Sequence, residues 1–86
     1  MNDYADFPPV KLFKRSLLIS PKTSLLYLDI YKLRTPGGNF VIQRKDVKKQ
    51  FLISPTLFRN HLLALSRIDI LSFEENPSSY VIKFFQ

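Results

Sequence analysis

Arg44-Lys45-Asp46-Val47-Lys48-Lys49-Gln50-Phe51-Leu52-Ile53-Ser54-Pro55-Thr56-Leu57-Phe58-Arg59-Asn60-His61-Leu62-Leu63-Ala64-Leu65 is the stretch on which the reading of this chain turns. Val47 and Phe51 stand one helical turn apart and leave Arg44, Lys45, Lys48 and Lys49 for the outside, so residues 44–52 are predicted as a short, strongly basic helix. Ile53-Ser54-Pro55 then marks a new start, because a serine oxygen can accept a hydrogen bond from a free backbone N–H and proline fits the first helical position. From there Phe58, Leu62 and Leu65 recur at helical spacing, with Ile68 just past the end, which predicts a second helix carrying that stripe inward. With only three or four residues between them, such helices cross at a steep angle and the second is held out.

Upstream, Ser20-Pro21 gives the same start signal, and Leu26, Ile30 and Leu33, widened by Leu25 and Leu28, predict an amphipathic helix over residues 20–34. The two Ile-Ser-Pro copies are shared capping grammar and not a repeat. Tyr27 and Tyr31 fall on a neighbouring face, either core edge or exposed. Thr35-Pro36-Gly37-Gly38-Asn39 is the strongest turn signal in the chain, and Phe40-Val41-Ile42 after it reads as a strand. Alternation at the start of residues 10–19 predicts a further short strand, and residues 1–9, polar and ending in two prolines, a loose tail. Downstream, residues 70–74 and 80–84 are rich in β-branched and aromatic residues around Glu75-Asn76-Pro77-Ser78-Ser79, which predicts a hairpin. On its second strand Tyr80, Ile82 and Phe84 share the face that can close a core.

Eighty-six residues with 45% hydrophobic content allow one core, so residues 10–86 are expected to form a single domain after the tail. Cysteine is absent, which removes disulfides and thiolate metal sites and fits a reducing compartment. Residues 1–9 lack the basic-then-apolar order of a signal peptide, and no apolar run approaches the ~20 residues that cross a bilayer, so the expectation is a cytoplasmic protein without a membrane partner. The net charge of +6 is unevenly spread: residues 1–9 hold two acids and no base, residues 10–67 twelve bases and two acids, and residues 68–86 one base and three acids. A middle block of +10 favours a polyanionic partner, with a merely solubilising charge as the plain alternative.

The order of strand, helix, turn, strand, short helix, tight turn, helix and hairpin resembles the winged helix-turn-helix superfamily, an α+β fold of three helices with a small antiparallel sheet and a C-terminal β-hairpin wing. Residues 44–65 are similar to the general helix-turn-helix pattern, and Asp69-Ile70-Leu71 stands where many members carry Gly-Leu-Ile before the wing. Lys14-Arg15-Ser16-Leu17-Leu18, Ser20-Pro21-Lys22 and Leu25-Leu26-Tyr27-Leu28 further resemble the winged-helix domains of plasmid and phage replication initiators. The resemblance implies DNA binding in transcription regulation, or in replication and maintenance of a mobile element, commonly as a homodimer on two half-sites.

On that reading Thr56, Arg59 and Asn60 face the groove, since arginine pairs with guanine and asparagine with adenine in the major groove. Ser54 and the N–H groups it precedes can hold a phosphate, and Arg44, Lys45, Lys48 and Lys49 neutralise the backbone without reading sequence. An exposed Arg-Asn pair or a lysine-rich helix is also what an ordinary solvated surface looks like. Two features point elsewhere. Leu57 and Leu63 sit where a DNA-reading helix carries polar groups and suggest a protein interface, and Glu74 and Glu75 at the hairpin tip repel phosphate. Tyr4, Tyr27, Tyr31 and Tyr80 open a third option, stacking on single-stranded nucleic acid. The partners to weigh are duplex DNA first, then a single strand, a second copy or another protein.

No catalytic constellation is expected. His61 is the lone histidine, with no acid at ligand spacing, and reads as structural. Asp46, Glu74 and Glu75 form no acid-base pair, and Gly37-Gly38 lacks the Lys-Ser or Lys-Thr of a phosphate loop, so neither enzyme activity, a metal nor a cofactor is expected.

Overall fold

The computed structural model describes residues 7–85. They form an α+β arrangement of four α-helices and a three-stranded antiparallel sheet. In chain order these are α1 (Val10–Leu17), α2 (Pro21–Lys32), β1 (Asn39–Gln43), a 3₁₀ turn (Arg44–Asp46), α3 (Val47–Phe51), α4 (Pro55–Arg67), β2 (Leu71–Glu75) and β3 (Ser79–Phe84).

The first element corrects the sequence expectation: residues 10–17 are helical, not a strand. Pro9 stands at the cap position, its carbonyl accepts from the Phe13 N–H at 3.0 Å, and Leu12, Phe13 and Ser16 turn inward at helical spacing. Ser16 can occupy an apolar face because its hydroxyl donates to the Phe13 carbonyl at 2.6 Å. Arg15 reaches across to donate to the Ile68 carbonyl, which ties α1 to the end of α4. Just before α1, Pro8 is buried and the Phe7 ring lies 5.2 Å from that of Phe13.

Both Ser-Pro starts form as the sequence dictates. Ser20 accepts from the Thr23 N–H and Ser54 from the Leu57 N–H, each with proline in the first turn. The basic segment is split, since only Val47–Phe51 is α-helical, and the chain leaves it through Leu52 in the left-handed region at φ 62°. A leucine there costs about 1 kcal/mol and gives the tight reversal into α4. α4 ends on Asp69, also left-handed at φ 58°, with the Asp69 and Ile70 N–H groups bonding back to the Ser66 and Leu65 carbonyls. A glycine would serve that position at less cost, and an aspartate tolerates it better than most side chains.

The turn before β1 uses Gly38 at φ 83°, whose N–H reaches the Thr35 carbonyl at 2.8 Å. The sheet order is β1-β3-β2, with Phe40 opposite Ile82 and Ile82 opposite Phe73. The pleat therefore puts Phe40, Ile42, Tyr80, Ile82, Phe84, Leu71, Phe73 and Glu75 on one face, which looks toward the helices. Tyr27, Ile30, Val47, Phe58, Leu62, Leu65, Ile70, Tyr80 and Ile82 are fully buried between the layers. Phe58 stacks on Phe51 at 5.4 Å and meets Tyr80 edge-on, which locks α3, α4 and the hairpin together. Tyr27 and Tyr31, open on sequence alone, are core, packed against each other and against Phe84.

Candidate nucleic-acid interface

The inward stripe of α4 fixes what its other sides can do. Phe58, Leu62 and Leu65 are fully buried, so Thr56 and Asn60 stand exposed on the opposite side, with Arg59 half-buried beside them. Leu57 is 44% exposed and lies on the flank toward α2, where it lines an apolar groove with Leu25, Leu26, Phe51 and Ile53. Leu63 is half-buried and sits about 120° around the helix from Leu57, so the two leucines do not make one patch.

Arg44, Lys45, Lys48 and Lys49 are all exposed, as their helical phase requires once Val47 goes to the core. Arg44 and Lys45 share a cleft of about 510 Å³ with Gln43, Pro55 and Ser78, between the start of α4 and the hairpin turn. The cleft is fixed by backbone bonds: the Arg44 N–H donates to the Ser78 carbonyl at 2.7 Å and the Asn76 N–H closes the turn onto the Ser79 carbonyl at 2.8 Å. The Ser54 cap bond to Leu57, 3.1 Å long, lies in the open. The first turn of any helix offers N–H groups without intrahelical partners and a partial positive charge.

Glu75, expected from the sequence as a bare charge at the hairpin tip, is paired with two arginines from other elements. The Arg59 Nε–H donates to its Oε1 at 2.7 Å and Arg44 Nη1 to its Oε2 at 3.3 Å. The Arg59 hydrogen bond, helped by the charges of Arg59 and Arg44, holds the Glu75 carboxyl below the ordinary range. Tyr80, opposite Glu75 across the hairpin, donates its hydroxyl to the Pro55 carbonyl at 3.4 Å, and burial raises its pKa. No linear motif signals this cluster, because Arg59 and Arg44 lie 16 and 31 residues from Glu75. Strand parity is the available signal, since Glu75 shares the inward phase of Leu71 and Phe73. Glu74, one residue earlier, is on the outer face and exposed.

His61 faces the α2 side of α4. Its Nδ1 lies 2.8 Å from Thr23 Oγ1, which in turn lies 2.8 Å from Ser20 Oγ. Burial first, and the nearby Lys22 charge second, lower the His61 pKa. Tyr27, Tyr31 and Tyr80 are buried and offer no platform for stacked bases, while Tyr4 lies outside the described residues. Among the described residues no helix is long and apolar enough to cross a membrane. Comparison with family models, with curated proteins and with solved structures found no match to this chain.

Proposed function

We propose that the chain is a winged helix-turn-helix that binds duplex DNA, with α4 as the helix that enters the major groove and the β2–β3 hairpin as a short wing. The observation that carries this reading is the exposure of Thr56, Asn60 and the half-buried Arg59 on the free side of α4, beside the cleft that Arg44 and Lys45 share with the start of that helix. Thr56, Arg59 and Asn60 supply base contacts, and Ser54, Arg44, Lys45, Lys48 and Lys49 supply phosphate contacts. The hairpin turn, Asn76-Pro77-Ser78, carries no base and does not grip the backbone. Such a module would serve in regulation of transcription or in replication and maintenance of a mobile element, and a homodimer would match two half-sites about one helical turn apart.

Fluorescence anisotropy of a labelled duplex against salt tests it. Four to six phosphate contacts give a log–log slope of roughly −4 to −5, and an equal-length single strand binds more weakly. A flat salt response, or tighter binding of the single strand, contradicts the duplex reading.

A further inference from the structure

Arg59 and Glu75 meet in a way that leaves the useful end of the arginine open. A guanidinium carries five N–H donors in one rigid plane, one on the side at Nε and four at the far end. Glu75 engages the side donor at 2.7 Å, and no described residue accepts from the two terminal nitrogens. Guanine offers O6 and N7 in the major groove as a pair of acceptors matched to that end-on fork.

The carboxylate is itself held. Glu75 closes β2 with its side chain on the inward face, and its second oxygen is occupied by Arg44. Three elements therefore fix one guanidinium plane: α4 through its backbone, β2 through Glu75, and the 3₁₀ turn through Arg44. A long surface side chain ordinarily loses affinity to the entropy of being ordered on binding, and a clamp made beforehand removes that cost.

We propose that Glu75 is a positioning residue for base recognition, holding the Arg59 guanidinium so that Nη1 and Nη2 present a fork to a guanine in duplex DNA. The inference rests on the reading of α4 as the groove helix. An opposed role, in which Glu75 stands in for a phosphate and blocks Arg59 until DNA displaces it, fits the geometry less well. Such a stand-in would take the bidentate fork that arginine prefers for phosphate, and here the fork is left free.

The test starts from a randomised duplex pool, from which the wild-type chain selects its preferred sequence. Anisotropy at one salt concentration then gives Kd for that duplex, for single G·C to A·T replacements, and for a scrambled duplex. For wild type one G·C position costs about tenfold or more when replaced. In Glu75→Gln the penalty at that position falls to about twofold, while the scrambled duplex binds as well or better, because a negative charge has gone. Arg59→Lys keeps the charge, loses the same penalty, and adds nothing when combined with Glu75→Gln. Melting curves of the variants confirm folding, and in the free wild-type protein a slowly exchanging Arg59 Nε–H resonance, weakened in Glu75→Gln, whose amide oxygen is a poorer acceptor, and absent from Glu75→Ala, reports the clamp without DNA.

If Glu75→Gln binds every duplex more tightly with its base penalties unchanged, the carboxylate is a competitor and the positioning role is overturned. Wild-type binding that depends on salt but selects no sequence overturns the positioning role alone. A wild-type chain that binds no duplex overturns the DNA-binding reading and this inference together.

Discussion

Two helices of this chain begin on the same three residues, Ile19-Ser20-Pro21 and Ile53-Ser54-Pro55, and finish in opposite surroundings. At the start of α2 the Ser20 oxygen takes the Thr23 N–H at 3.0 Å and joins a hydroxyl chain through Thr23 to His61. That end is closed by groups the fold supplies. At the start of α4 the Ser54 oxygen takes the Leu57 N–H in the open, and the next residue, Pro55, shares a cleft with Arg44 and Lys45. Capping grammar decides where a helix begins, and the residue that arrives from elsewhere decides whether its end is sealed. For α2 that residue is His61, 38 positions away from Thr23.

The largest effect that separates the two ends is on binding. The pair Lys48→Glu and Lys49→Glu, on the exposed side of α3 where the chain leads into the open start of α4, should weaken duplex binding by roughly a hundredfold for all sequences and flatten the salt slope by about two contacts. Lys22→Glu, at the closed helix start, should change binding by less than about twofold. A matching loss from Lys22→Glu would erase the contrast.

Stability should show the reverse ranking. Ser20→Ala removes a cap and takes one partner from the Thr23 hydroxyl, leaving its bond to His61, at a cost of about 1–2 kcal/mol, whereas Ser54→Ala loses only an exposed cap at about 0.5–1 kcal/mol. Urea denaturation at neutral pH reads both, and the opposite order would mean that the hydroxyl chain contributes nothing.

The smallest effect is in pH. His61 has a folded-state pKa below its unfolded value, so the unfolded chain takes up the proton first as pH falls. Its stabilisation is complete above the ordinary histidine range and fades as pH drops through the lowered folded value. Glu75, also lowered, adds a second loss further down, below the ordinary carboxylate range. His61→Gln should remove the first component and leave the second, as followed by denaturation midpoints from about pH 8 down to about pH 2. An unchanged first component would assign it to another group.

Much of this could be read from the residues alone. Ser-Pro starts, the Phe58-Leu62-Leu65 stripe and the alternation of Tyr80, Ile82 and Phe84 are local patterns, and each appears where expected. The helical state of residues 10–17 is not legible locally because the inward stripe contains Ser16, a polar residue that becomes compatible with burial only when helical geometry brings the Phe13 carbonyl to its hydroxyl. The burial of Tyr27 and Tyr31 is not legible in their own helix because what covers them includes Phe84, from the far end of the chain. In the candidate interface the basic residues and the exposed side of α4 followed from helical phase. The Glu75 clamp did not, because its three residues converge only through tertiary structure.

The strand order carries a consequence for how this chain is made. β1 and β2 are joined only through β3, the last of the three in sequence, with Asn39 paired to Lys83. Until that strand has been synthesised and docked, the two earlier ones have no sheet to enter and display unpaired backbone edges. A ribosome paused before residue 79 would thus hold a sticky nascent chain, and a nonsense codon there would yield an aggregating fragment instead of a weakened version of the protein.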